Sequence, residues 1–454
     1  MAATTAFLPT WVRRPEVTGG PRLVHVNTHS TFGGVAELLS GLIRAQERRG
    51  HAVGWVTITG DVRFFLLAKK LHYLSHGKGD PAVLSDPAKA ELYATVLRPQ
   101  AEAIAGTLRP GDVVVLHDSH TLGMAGVLSR AGARVVWHSH VGADVDPDAV
   151  LARVWPFFAD DFASVDAVIT TRADFAPPAG LFPGERFVIA PAIDPASPKN
   201  RVMSPAEVAG CLDEIGLTGP EPEAGGRGAE VEHVAPLPGD ATVVLQVSRW
   251  DPLKDMLGAV RGFARVTGFP QAHLVLAGPD PREVGDDPEG LTVLDEVRAA
   301  VSALPPEIRG RVHLVLLSMK DLERNAQLVN ALQRRADVVL QKSLEEGFGL
   351  TVTEAMFKHR AVVAAAVGGL RLQVEHDSTG LLVDPADDTD VASALTRLIA
   401  DPGLRREFGD RAAASVEERY LMPRLADEYD AVTGLVPVRS EDPLPKDPPN
   451  EENR

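Results

Sequence analysis

The chain has 454 residues, 46 Lys+Arg against 62 Asp+Glu, a formal net charge of −16, and a single cysteine. That acidic balance argues against a nucleic-acid partner, which needs a basic face, and against a polybasic membrane-surface protein. One cysteine, Cys211, excludes an internal disulfide framework and a cysteine-rich zinc site, and the length allows two or three domains.

Met1 to Val17 is mixed and lacks an apolar segment of the signal-peptide kind. The longest uncharged apolar stretch, Ala361 to Leu370, falls well short of the roughly 20 residues of a membrane span. The expected location is cytoplasmic, with no membrane partner. Strand-like and helix-like stretches then alternate. Arg22 to Val26 reads as a strand, followed by Gly33-Gly34 and a helix over Val35 to Arg49. Further strands are expected at Ala52 to Ile58, Asp112 to Leu116, Arg134 to Trp137, Asp166 to Thr170 and Arg186 to Ile189. The Pro- and Gly-rich segment 216–240 reads as a solvated loop or linker. A second series follows: Ala241 to Val247, Ala272 to Ala277, Val312 to Leu317, Asp337 to Leu340, Ala361 to Ala366 and Gly380 to Val383. The pattern predicts an α/β chain of two Rossmann-like doubly wound domains, residues 1–215 and 241–404, facing a central cleft. The acidic tail 440–454 is expected to be disordered.

In open α/β sheets, ligands bind beyond the carboxyl ends of the strands. Gly33 and Gly34 sit there, opening a helix whose N–H groups suit a phosphate, although a tight turn would use the same residues. Arg249 and Lys254, five apart in Ser248-Arg-Trp-Asp-Pro-Leu-Lys254, could neutralise a diphosphate. Glu346-Gly-Phe348-Gly349-Leu350-Thr351 offers a carboxylate, a Gly-x-Gly turn and helix-start N–H groups, and Glu354 follows in the next helix. Glu354 could accept ribose hydroxyls while Glu346 faces the donor sugar. His140 ends a strand and is the candidate cleft histidine, able to bind a sugar hydroxyl. His138 is read as structural, and a metal pair is discounted because the two rings are expected to face apart. Asp144-Val-Asp146 is an Asp-x-Asp in a loop and a weak candidate for metal. Asp118, His72 and Asn27 are candidates for the acceptor side. No metal site and no cofactor are expected.

Together the Gly33-Gly34 loop, the Arg249-x4-Lys254 pair and the Glu346-x7-Glu354 motif resemble the retaining GT-B glycosyltransferases of the glycogen-synthase-like family 4, over about Leu23 to Leu435. Within it, Gln246 to Lys254, Asp287 to Gly290, Gln341 to Met356, Pro191 to Pro195 with Pro198-Lys-Asn200, and Gly368-Gly369 resemble the trehalose glycosyltransferring synthases. That resemblance implies transfer from an NDP-sugar to a small polar acceptor, free glucose in those enzymes. It also implies retention of configuration, His140 against the donor sugar, a base pocket around Leu317 to Lys320 including Met319, and a C-terminal helix within 405–435 crossing back to the first domain. Where those enzymes carry His-Ile-Asp, this chain reads His140-Val141-Gly142. Two other readings stay open: a natural-product glycosyltransferase using an unusual NDP-sugar with a small-molecule or thiol acceptor, and, in another class, a sugar-nucleotide epimerase on the same scaffold. Oligomeric state, a homodimer included, is open.

Overall fold

The computed structural model describes residues 7–16, 20–31, 33–76, 79–142, 151–219, 228–284 and 289–435. Asp144, Asp146, Asp287, residues 220–227 of the expected linker and the tail 440–454 lie outside the described residues. The first sheet is built from β1 (Thr10–Arg13), β2 (Leu23–Asn27), β3 (Val53–Thr57), β4 (Val113–His117), β5 (Arg134–Ser139), β6 (Ala167–Thr170) and β7 (Glu185–Val188). The second uses β8 (Ala229–Glu232), β9 (Thr242–Val247), β10 (Ala272–Pro279), β11 (Val312–Leu317), β12 (Val338–Gln341), β13 (Ala361–Ala365) and β14 (Leu381–Val383).

Their orders are β1-β3-β2-β4-β5-β6-β7 and β14-β13-β12-β9-β10-β11-β8. Every pairing is parallel except β1 on β3 and β8 on β11. Inner parallel strands, covered by helices on both faces, are buried, which is why they read as apolar runs such as Val113 to Leu116, whereas β7 at the edge is mostly exposed. In each sheet the order reverses beside the first parallel strand, between β2 and β4 and between β9 and β12. Such reversals open the crevices where ligands lodge. The Gly33-Gly34 loop follows β2, the Arg249–Lys254 segment follows β9, and the Glu346 segment follows β12.

The segment expected as a solvated linker contains a strand. β8 pairs antiparallel with β11, and Leu237, buried like Leu217, donates its N–H to the Leu217 carbonyl at 2.7 Å. Glu232 of β8 is held by Arg298 at 3.1 Å. β1 was equally unforeseen. The C-terminal region is two helices rather than one. Pro402–Arg419 stays with the second sheet, where Gly409 lies so close to His359 that a Cβ would meet its carbonyl oxygen at 2.3 Å. The chain breaks at Tyr420–Leu421, and Met422–Thr433 starts afresh with Pro423 in its first turn, where a missing N–H costs nothing. This last helix places Leu425, Ala426, Tyr429 and Val432 in the core of the first domain, against Leu38, Leu42 and Val115. Among the described residues, no helix is long and apolar enough to cross a membrane.

Candidate active site

Buried Gln246, near the end of β9, joins the two loops of the second domain. Its side-chain nitrogen donates to the Lys254 carbonyl at 2.8 Å, and its oxygen accepts from the Lys342 N–H at 3.2 Å. Leu344 N–H adds a bond to the Leu253 carbonyl at 2.7 Å. These ties bring Lys254 Nζ to 2.6 Å from Glu346 Oε2, which also accepts from Ser343 Oγ at 3.1 Å. Arg249 pairs with Asp251 at 2.7 Å and leaves 48% of its side chain exposed. Thus a cation pair and a carboxylate stand at one strand edge.

The Glu346–Leu350 turn is closed by glycines for steric reasons. Gly349, with φ 89°, caps the helix Leu350–Phe357. A Cβ on Gly368 would lie 1.8 Å from the Glu346 carbonyl oxygen, and Gly369 N–H donates to that oxygen at 3.0 Å. A Cβ on Gly347 would meet the His140 carbonyl oxygen at 2.5 Å, so this turn is also where the first domain touches the second. Arg172 of the first domain reaches the Gly368 carbonyl at 3.2 Å. Across the cleft, a Cβ on Gly34 would stand 3.8 Å from Leu350 Cδ1. Two helix N-termini, Gly34–Arg48 and Leu350–Phe357, therefore converge with Arg249 and Lys254. Free N–H groups and helix dipoles make such ends attractive to anions.

Glu354 is 1% exposed. Gln333 Nε2 reaches its Oε2 at 3.3 Å, and its Oε1 has no hydrogen-bond donor among the described residues, only Lys199 Nζ at 3.5 Å. Lys199 also meets Glu37 of the Gly34–Arg48 helix at 2.5 Å. Burial pushes the Glu354 carboxyl up, and Lys199 opposes the shift. Burial alone would lower Lys199, but Glu354 and Glu37 hold it above the usual ammonium range. An orphaned acceptor oxygen at a buried carboxylate suits ribose hydroxyls.

In the first domain, His140 N–H donates to Asp118 Oδ1 at 2.7 Å, and His140 Nε2 pairs with His117 Nδ1 at 2.8 Å. His117 Nε2 pairs with His25 Nδ1 at 3.0 Å, and His25 Nε2 with Gln46 Oε1 at 3.0 Å. His138 and His140 do not face apart: their ring centroids are 3.9 Å apart, because residues two apart along a strand share a face. His138 bonds the buried Tyr429 hydroxyl. Potential ligand atoms of His117, His138 and His140 lie within 4.8 Å of one another. The 2.8 Å between His117 and His140 is a hydrogen-bond distance, however, shorter than the ~3.3 Å separating two nitrogens on a tetrahedral ion with bonds of about 2.0–2.1 Å.

Asp118, at φ 60°, has its carboxyl pushed up to about 7 by burial. His72 lies on the helix Val62–Ser75 beside His76, with ring centroids 4.8 Å apart. Burial lowers it well below its usual value, assisted by His76, His120, Arg249 and Lys254, so it faces the cation pair. Two candidates are placed otherwise. Asn27 is 3% exposed and shapes the turn after β2: its oxygen accepts from Trp55 Nε1 at 2.9 Å and its nitrogen bonds the His29 carbonyl. Met319 gives its N–H to Glu283 at 2.7 Å, so this donor is occupied. Phe348 is buried and stacks edgewise on Tyr420, supporting the turn from behind. Thr351 Oγ1 bonds Gln341 at 3.0 Å, leaving its backbone as the feature at the helix start. Gly142 cannot bear a side chain, since a Cβ would meet the Phe175 ring at 2.1 Å, and its carbonyl faces His76 Nδ1 at 3.1 Å. Lys199, Glu37, Gln46, His25 and His117 were not foreseen as site residues, although Lys199 stood inside Pro198-Lys-Asn200, one of the segments that carry the resemblance.

Two Rossmann-like domains with this cation-lined cleft define a glycosyltransferase of the GT-B class. Residues 25–177 match the family described as "Trehalose synthase, N-terminal domain", and residues 230–415 match "Glycosyl transferases group 1". The chain is 33% identical over 410 residues to the trehalose synthase of Rubrobacter xylanophilus, covering 89% of this chain and 88% of that one. It is 28% identical over 417 residues to the trehalose synthase of Pyrococcus horikoshii, covering 92% and 90%. In fold it resembles the UDP-forming trehalose-phosphate synthase of Burkholderia xenovorans, with TM-score 0.69, 16% identity, and 92% and 99% of the two chains covered. This chain belongs to the trehalose synthase family and is a trehalose-synthase-like glycosyltransferase. These relatives favour neither a natural-product pathway enzyme nor an epimerase.

Proposed function

We propose that the enzyme belongs to family 4 and transfers a glucosyl unit, with retention, from an NDP-glucose to free glucose, giving an α,α-linked disaccharide. The observation that carries this reading is the convergence of two helix N-termini, opened at Gly34 and Leu350, on the Arg249–Lys254 pair, with Glu346 held by Lys254 at 2.6 Å. The bond from the anomeric carbon to the diphosphate oxygen breaks as negative charge grows on the leaving group. Arg249, Lys254 and the N–H groups near Gly33, Gly34, Gly349, Leu350 and Thr351 stabilise that charge, the main electrostatic task of the reaction. The acceptor hydroxyl oxygen attacks the same face, and its proton passes to the departing phosphate oxygen. Glu346 orients the donor sugar, Glu354 the ribose, and His140 a sugar hydroxyl near the reacting carbon; Asp118 and His72 line the acceptor side. The two cations supply the charge that a metal would, so none is required. The reaction belongs to the cytoplasm, where sugar nucleotides are found.

The test is a thermal-shift panel of NDP-glucoses with different bases, followed by mass spectrometry of the product formed with glucose. Stabilisation by one donor and a non-reducing disaccharide are expected. Stabilisation by none of them, or conversion of the donor without an acceptor, would overturn the proposal.

A further inference from the structure

The histidines of the first domain form a row with a built-in direction. β2, β4 and β5 are parallel neighbours, with His25 opposite Val115 and His117 opposite His138. His117 lies two residues beyond Val115, and His140 two beyond His138. Residues in register, or two apart, share a face. The three rings therefore climb one face of the sheet diagonally, two residues per strand, toward the cleft. At the lower end stands Gln46, fully buried on the helix whose other end is Gly34.

Each ring uses both nitrogens or ends the row, so fixing one proton fixes all. An amide oxygen has lone pairs only. Gln46 turns its Oε1 to His25 Nε2 at 3.0 Å, while its Nε2 has no partner among the described residues; in that amide orientation the proton sits on His25 Nε2 and leaves His25 Nδ1 as acceptor. His117 Nε2 must then donate to it at 3.0 Å, and His140 Nε2 to His117 Nδ1 at 2.8 Å. We infer that Gln46, His25 and His117 are positioning residues that hold His140 in its Nε2–H tautomer, so that its remaining nitrogen, Nδ1, meets the substrate sugar as a hydrogen-bond acceptor. This rests on the proposed contact of His140 with a sugar hydroxyl. Asp118 fixes the backbone of the same residue from the other side, at 2.7 Å. Burial holds His25 at about 4 and His140 at about 3, so the row stays neutral at working pH and its direction is not erased by protonation.

The direct test is a long-range proton–nitrogen spectrum of histidine-labelled wild-type enzyme, with His140 assigned by the loss of its signals in His140→Gln. The Nε2–H form is expected; the Nδ1–H form would overturn the inference without any variant needing to fold. Gln46→Leu removes the anchoring acceptor and should give mixed tautomers at His140, with kcat lowered about 10- to 100-fold and donor KM nearly unchanged. Gln46→Glu keeps an acceptor oxygen and should retain the tautomer and most of kcat. Equal losses in both variants, or full activity in Gln46→Leu, would refute the positioning role. If His140→Ala itself turns over normally, it is the sugar contact of His140 that fails, and the two failures are told apart.

Discussion

Replacing Lys199 by methionine isolates the part played by a cation that touches both domains. Its ammonium lies 3.5 Å from Glu354 Oε1, inside a site where Glu354 is 1% exposed. At an effective dielectric of about 20, that separation corresponds to roughly 5 kcal/mol of attraction. Removing one partner of a buried pair costs about 3–5 kcal/mol when the other stays charged. Glu354 escapes part of this by taking up a proton, because burial already pushes its carboxyl up and Lys199 is what opposes that shift. The variant should therefore hold a protonated Glu354 at pH 7, a weaker acceptor for ribose hydroxyls. A charge-assisted hydrogen bond contributes about 1.5–3 kcal/mol, so nucleoside diphosphate binding should weaken about 10- to 100-fold. The sign of the pH dependence follows: raising the pH from 6 toward 9 re-ionises Glu354 and should restore affinity in Lys199→Met more than in the wild type. Titration calorimetry with the best-stabilising nucleoside diphosphate measures both. Unchanged affinity and an unchanged pH profile would refute the coupling of Lys199 to the donor site.

Lys254→Ala and Arg249→Ala should each lower kcat about 10²- to 10³-fold, the usual cost of removing a group aimed at developing charge; near-normal turnover in both would end their assignment to the leaving group. Gly347→Ala places a methyl 2.5 Å from the His140 carbonyl oxygen, an overpacking that typically costs about 1–3 kcal/mol. It should lower kcat while circular dichroism stays native, and full activity would show that the domains need not meet there. Thermal stability should fall steeply as the pH drops below 6.5. His25, His76 and His120 are held at about 4 and His140 at about 3, so the unfolded chain binds protons first, and stability present above 6.5 is lost toward pH 4. Asp118, held up at about 7, Asp161, at about 6, and Glu354, pushed up by burial, act in the opposite sense, but burial lowers His72, His117, His138, His273 and His313 as well. A flat calorimetric Tm between pH 7 and 5 would contradict the burial of these rings.

Central strands were legible because burial on both faces forces uninterrupted apolar runs, as in Val113 to Leu116 or Leu314 to Leu317. The edge strands β1 and β8 escaped because they are short and polar: Ala229–Glu232 alternates acidic residues that bond Arg282 and Arg298. The motif residues of the cleft were legible because each follows directly on a strand end. Asn27 and Met319 share that placement, yet their polar groups bond Trp55, His29 and Glu283, and position in sequence does not show which way a side chain turns. The histidine row was illegible for a further reason. His25, His117 and His140 become neighbours only through strand order, and the face shared by His138 and His140 follows from a period of two that the sequence reading misapplied. Lys199 lies far from Glu37 and Glu354 in sequence, so nothing local marks it as a bridge.

The helix Met422–Thr433 fixes when the first domain can be finished. Its residues Leu425, Ala426, Tyr429 and Val432 fill the same core as Leu38, Leu42 and Val115, more than three hundred residues earlier in the chain. A ribosome that has released only the first half has therefore delivered a sheet with one face covered by the helix Gly34–Arg48 but not by the helix Met422–Thr433. That half must wait, its apolar surface exposed, until the second domain has been synthesised and the last helix returns across the junction. Completion of the first domain's core is thereby tied to synthesis of the second, since the helix that closes it follows the second sheet in the chain.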